Sequence, residues 1–322
     1  MLPAPAHLTA TLDQTVRQNP DRPVTVYGGW TRTAAQCADR VARLAGGLRR
    51  LGVERGDRVG ILAANSDRYH ELLLGIPWAG AAVAPLGPWW STWEIRDALR
   101  HSGIAVLFVD DDSAPLVPAL RAGWDGLTAV VYCGDALPPE GYADYEPLVA
   151  GADAVPDARR SGENIFGVFY DRRRSGVLVH TVVSHDQLLA SAQRVLEAAD
   201  GELGGRLLHA ASFHHLTEVS VWAAGLIAES THVVVPEFTA PAVLAAADWH
   251  GVTDLRLEPD MLRTLIDDPG LPDHDLTRVR RILHEEPEPE GALARQVRQV
   301  FPNAAFARLA AAGEPVLARS AR

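Results

Sequence analysis

The chain has 322 residues, 47% of them hydrophobic and 22% charged, with a formal net charge of −11. That length buries a sizeable core in one large domain or two smaller ones, and an acidic chain without a long basic stretch excludes nucleic acid as an expected partner. All 30 basic residues are arginine, so no step can use a lysine ammonium, and no long apolar run supports a membrane span.

The opening Met-Leu-Pro-Ala-Pro-Ala lacks the basic-then-apolar order of a secretory signal, and a cytoplasmic location is the expectation. Cys37 and Cys133 form no metal-spaced motif and read as small buried apolar residues, so no metal site is expected.

In chain order, 8–19 carries helical spacing through Leu8, Leu12, Thr15 and Val16. A short β-branched run at 23–27 is closed by the Gly28-Gly29 turn. Thr33 then caps an amphipathic helix through Val41, Leu44, Leu48 and Leu51 that stops at Gly52. A buried strand is predicted over 58–63, a helix over 67–79 and a strand over 81–86. A helix over 92–101, with Trp93 as a core residue, precedes strands near 106–109 and 129–133. The Pro-, Gly-, Asp- and Ala-rich stretch 134–164 reads as a long surface connection. The second half gives strands at 165–170, 231–235, 253–257 and 279–283, and helices at 186–199, 240–250, 260–267 and 291–301. Strands alternating with helices of this length predict layered α/β sheets.

Several residues add to this order: Pro20-Asp21-Arg22-Pro23-Val24, Gly46-Gly47-Leu48, Gly52 through Val59, Asn65-Ser66, Pro85-Leu86 and His101-Ser102-Gly103. The set resembles the opening pattern of the adenylate-forming superfamily, which comprises acyl-CoA synthetases, luciferases and nonribosomal adenylation domains. The resemblance implies an α/β fold of two packed layered subdomains, 57–190 and 8–56 plus 200–318. It would be like the N-terminal part of those enzymes, without their C-terminal mobile domain.

Departures from the family pattern carry the functional reading. The family's phosphate loop, Tyr-Thr-Ser-Gly-Thr-Thr-Gly-x-Pro-Lys-Gly with a Thr-His pair beyond, aligns without a gap with residues 170–185. Tyr170, Gly176 and His185 match. Asp171, Arg172 and Arg173 replace small residues, Val179 takes the lysine position and His180 the closing glycine. Small residues let backbone N–H groups reach a phosphate, and long side chains fill that space. The alternative is a new anion clamp made of Arg172, Arg173 and Arg174. Where the family packs Gly-Gly-Ala against adenine, this chain has His284-Glu285-Glu286. Where the family has Tyr-Gly-x-Thr-Glu, only Glu314 matches, at a magnesium ligand. The resemblance thus implies loss of ATP-dependent adenylation, with no cofactor.

The acyl pocket is implied to persist between the strand ends carrying Tyr170, His214 and Glu258. His214, within Phe213-His214-His215-Leu216, matches the family's pocket histidine. The expected activity is ATP-independent acid–base chemistry, namely cyclisation, isomerisation, elimination or hydrolysis, on an acyl- or polyketide-derived small molecule of natural-product biosynthesis. His214 is the first catalytic candidate, with Glu258 as its orienting or acid partner, followed by His215, Tyr170 and His180. Trp89, Trp90, Phe213, Arg172, Arg174 and Glu285 are the expected substrate contacts. For each histidine the plainer reading is a wall residue with a satisfied hydrogen bond. Two other functions stay open. One is a non-catalytic scaffold or regulatory partner, bound to its own copy or to a biosynthetic protein; the other is nucleotide sensing through the arginines and Glu314.

Overall fold

Two seven-stranded sheets organise the chain in the computed structural model, which describes residues 5–122, 124–172 and 178–309. The first sheet runs Ala143–Asp144, Ala129–Tyr132, Val106–Val109, Arg58–Leu62, Ala82–Pro85, Ile165–Arg172 and Leu178–Ser184. The second runs Ala305–Arg308, Arg281–His284, Asp254–Arg256, Arg206–His209, Thr231–Val234, Pro23–Tyr27 and Trp30–Thr33. Each is parallel except for one antiparallel hairpin at its edge. Parallel strands are covered on both faces, which is why Val106–Val109 and Ala82–Pro85 are buried at every position.

Four helices, Ala34–Arg50, Asp67–Ala79, His185–Ala198 and Leu216–Ile227, share one core with inner-face residues of both sheets, including Val59, Phe108, Leu207 and Val234. Helices Ala240–Trp249, Pro259–Ile266 and Gly291–Val300 cover the outer face of the second sheet. Helix Thr92–Ser102 covers the outer face of the first. The result is five layers, α/β/α/β/α. Thr33, Ser91 and Ser184 each close a capping box, which fixes where three of the helices start. Helices in the middle layer approach closely through glycine: a Cβ on Gly75 would lie 2.5 Å from Leu44 Cδ2.

The stretch 134–164 is not a plain surface connection. It holds the short strand Ala143–Asp144 and the helix Tyr145–Ala150, with Tyr145 and Val149 buried. A Cβ on Gly46 would fall 2.1 Å from the Asp153 carbonyl oxygen, so helix Ala34–Arg50 and this segment fit only without a side chain there. Charge anchors the segment: Tyr145 donates to Glu71 at 2.7 Å, and Arg40 and Arg68 both reach Glu146. A six-residue helix held by such pairs is too short to leave a period in the sequence.

Trp93 is 64% exposed rather than part of the core. Helix Thr92–Ser102 buries Ile95, Ala98, Leu99 and Ser102, and Trp93 falls off that stripe. Strands Leu178–Ser184, Arg206–His209 and Ala305–Arg308 and helix Leu216–Ile227 add to the sequence prediction. The helix shows no polar face because it lies in the middle layer, buried from Glu218 to Ile227. No helix among the described residues is long and apolar enough to cross a membrane.

Candidate functional site

The loop 210–215 leaves the C-terminal end of strand Arg206–His209, where parallel sheets place their ligand crevices. One buried side chain holds it. Asn65 donates to the Ala211 carbonyl at 2.8 Å and accepts from Phe213 N at 2.9 Å, while its own N–H bonds the Pro236 carbonyl. Asn65 follows the first sheet's strand Arg58–Leu62, so it ties the loop to the other sheet.

That clamp presents His214 and His215 to the two tryptophans. The His214 ring lies 3.6 Å from that of His215, 4.5 Å edge-on from Trp89 and 6.1 Å from Trp90, between centroids. Trp90 packs edge-on to Tyr170 at 5.8 Å. The structure therefore brings together five of the predicted residues: Tyr170, Trp89, Trp90, His214 and His215. His214 is buried, and among the described residues its Nδ1 has no hydrogen-bond partner. Burial, and then the neighbouring His215, push its pKa down to about 3, so the ring is neutral. His215 is lowered by burial and by Arg256, against the pull of Asp171, Glu218 and Glu285.

Tyr170 is also buried. Its hydroxyl meets Ser102 Oγ at 2.6 Å and donates to the Ala98 carbonyl at 3.1 Å, and burial raises its pKa. His180 is exposed on strand Leu178–Ser184, its Nε2 3.2 Å from that of His101. Phe213 turns into the core against Tyr69 and His209. The backbone of Arg172 ends its strand, whereas Arg173, Arg174 and Glu314 lie outside the described residues.

Glu258 and Glu285 belong to a second cluster, built on Arg256. The guanidinium pairs with Glu258 and Glu285 at 2.8 Å each and with Glu218 at 3.6 Å. Glu258 is not hydrogen-bonded to His214 Nδ1. Its carboxylate instead accepts the backbone N–H groups of Glu285 and Glu286, at 3.2 and 3.1 Å. Thr217, in the first turn of helix Leu216–Ile227, donates to Glu285 at 3.0 Å.

Sequence reasoning did not pick out Glu218, His209, His232, His70 or Arg256. Glu218 bonds His209 Nδ1 at 2.6 Å, and His209 Nε2 meets His232 Nδ1 at 2.9 Å. The signal was present as polar residues inside otherwise apolar elements: His209 and His232 in short buried strands, and Glu218 in the helix LTEVSVWAAGLI. Buried polar groups in such settings are held by partners.

The chain matches the AMP-binding enzyme family over residues 12–170 and 179–311. It is 31% identical over 225 residues to a long-chain-fatty-acid–CoA ligase of Thermus thermophilus, an overlap of 69% of this chain and 41% of that protein. It is 26% identical over 223 residues to 4-coumarate–CoA ligase 2 of Oryza sativa subsp. japonica, covering 63% and 39%. The chain thus matches less than half the length of these curated relatives. Among solved structures, the N-terminal domain of FACL13 from Mycobacterium tuberculosis aligns with a TM-score of 0.80 at 22% identity, covering 93% of this chain and 74% of that one. The anthranilate CoA ligase AuaEII in complex with anthranoyl-AMP gives 0.84 at 18% identity, covering 94% and 60%. Both share the fold of the two sheets. With a match over nearly all of its described length, the chain belongs to the AMP-binding enzyme family of adenylate-forming proteins.

Proposed function

We propose that this family member works without ATP, binding an acyl- or polyketide-derived small molecule against His214 and catalysing acid–base chemistry on it. One observation carries the reading: His214 is a neutral, buried imidazole with an unpartnered Nδ1, walled by Trp89, Trp90 and His215. An unpaired buried polar atom is costly unless a ligand satisfies it. Aromatic walls with one polar group describe a site for an apolar molecule with a single polar handle. With its pKa at about 3 the free ring is a weak base. Negative charge developing on a bound enolate or carboxylate would raise that value and let the ring take the proton.

The Arg256 cluster supports the nucleotide-free reading. In the segment where the family resemblance expects Gly-Gly-Ala against adenine, the N–H groups of Glu285 and Glu286 are already taken by Glu258. An internal carboxylate thus stands on that face, and Glu285 adds a second negative charge to it.

Titration calorimetry with ATP and magnesium is expected to give no binding heat, and pyrophosphate release with a panel of carboxylic acids should stay at background. Pyrophosphate release with any acid would overturn the proposal. Aromatic carboxylic acids and their CoA thioesters, followed by thermal shift, provide the positive arm. A ligand found this way should bind His214→Ala at least about tenfold more weakly, or about 1.4 kcal/mol.

A second reading, a non-catalytic partner of a biosynthetic protein, draws on exposed indoles. Trp30 is 75% exposed and Trp249 86%. It would be favoured if His214→Ala left the biological product intact while Trp30→Ser or Trp249→Ser abolished it.

A further inference from the structure

Behind the candidate site, on the inner face of the second sheet, lies a row of buried polar groups that the ligand reading does not use. Strands Arg206–His209 and Thr231–Val234 are adjacent and parallel, with Leu207 opposite His232. His209, two residues beyond Leu207, therefore shares a face with His232. Helix Leu216–Ile227 lies over them and makes room with Gly225, where a Cβ would come 2.8 Å from His232 Cε1. His70, from helix Asp67–Ala79, completes the row, its ring 5.0 Å from that of His232.

The bonds dictate where the protons sit. The Trp222 indole can only donate, and it reaches His70 Nδ1 at 3.0 Å, so neutral His70 carries its proton on Nε2. Burial, then His209, push the His70 pKa down to about 3, which keeps it neutral. With Glu218 as a carboxylate, His209 donates to it from Nδ1 at 2.6 Å. The other nitrogen of neutral His209 then accepts from His232 Nδ1 at 2.9 Å. His232 is left with a bare, buried Nε2 that has no partner among the described residues. The three groups form an aligned series: a lone pair at one end, two N–H bonds pointing the same way, and a carboxylate at the other.

A small crevice lies on the far side of His70, whose ring is 5.0 Å from that of His232. Leu12, Val24 and Leu226 line it together with the polar Thr15, His70 and Ser230, and the Arg22–Glu229 ion pair at 3.1 Å belongs to its wall. Among the described residues, Ser230 Oγ and His70 Nε2 on that lining, and Thr25 Oγ1 beside His232 in the strand register, are buried without partners. Hydroxyls and ring nitrogens of this kind are what an internal water binds.

We propose that His232, His209 and Glu218 form a buried proton-transfer chain between the crevice beside His70 and the Arg256 cluster of the candidate site. A proton arriving from the His70 side adds to His232 Nε2. The His232 Nδ1 proton moves to His209 Nε2, and the His209 Nδ1 proton moves to Glu218. One proton enters, one carboxylate becomes a carboxyl, and both rings end neutral in the opposite tautomer. Among the described residues, the charged or titratable groups that face the chain are His70 from helix Asp67–Ala79, Arg256 from strand Asp254–Arg256, His215 before helix Leu216–Ile227, and Glu258 and Glu285 through Arg256. Protonated Glu218 no longer offsets Arg256, whose charge then falls on Glu258 and Glu285. The chain would thus change the charge at the site from the far side of the sheet, whatever ligand His214 takes.

Nitrogen-15 NMR of the histidine rings in the full chain tests this without any substrate. At neutral pH, His70 should be the Nε2–H tautomer and His209 and His232 both Nδ1–H. On acidification, His209 and His232 should switch to Nε2–H together, in one step. Glu218→Gln, nearly isosteric, should hold both rings in the Nδ1–H form across the same range, and His232→Phe should abolish the switch at His209. Independent titration of the two rings to imidazolium, or a joint switch that persists in Glu218→Gln, would overturn the proposal. If His232→Phe does not fold, the Glu218→Gln spectrum decides alone.

Discussion

At the scale of single residues, burial of neutral imidazole sets how the protein responds to acid. His70 and His214 are both buried, with pKa values pushed from 6.5 down to about 3 by desolvation first, and then by His209 and His215 respectively. A folded-state value below the unfolded one means that the unfolded chain binds more protons below 6.5. The stability tied to these rings is complete above that pH and is lost as pH falls toward about 3. Between about pH 7 and pH 5 each ring removes about 2 kcal/mol, and urea titrations at the two values measure it. His214→Phe should reduce that loss by about one ring's share. Asn65→Ala removes both bonds that hold the 210–215 loop. It is expected to lower stability by about 2 kcal/mol and to broaden the His214 and His215 NMR signals. His214 was legible in the sequence because one residue sat at a recognisable place. The Glu218–His209–His232 row was not, because its members come from two strands and a helix and only the sheet register aligns them.

At the scale of elements, the glycines of helix Ala34–Arg50 decide how tightly the middle layer closes. Gly46→Ala would place a methyl against the Asp153 carbonyl and force helix and segment apart. The expected loss is about 2 kcal/mol, read as a lower midpoint in thermal unfolding. Segment 134–164 looked like loop because its helix, Tyr145–Ala150, has only six residues, too few to show a hydrophobic period. Elements with one wet face were read within a residue or two, as at Ala34–Arg50 and Pro23–Tyr27. Helix Leu216–Ile227, buried all round, gave no amphipathic signal. Strand Leu178–Ser184 was hidden by its alignment with a phosphate loop, although its Val and Thr content is ordinary for a sheet.

At the scale of the whole molecule, the two sheets differ in how the chain reaches them. Every strand of the first lies between residues 58 and 184, whereas the second needs the hairpin of Pro23–Tyr27 and Trp30–Thr33 beside Thr231–Val234. A chain beginning at residue 34 would leave Thr231–Val234 as a bare edge strand. It is expected to elute as aggregate in size-exclusion chromatography, because an uncovered parallel edge is a template for other chains. The same arrangement sets a timetable for synthesis. The first sheet is complete in the nascent polypeptide while the leading hairpin still waits for a partner about 200 residues downstream. At ordinary translation speeds that wait lasts roughly ten to forty seconds, during which the hairpin's apolar side is a natural client for a chaperone.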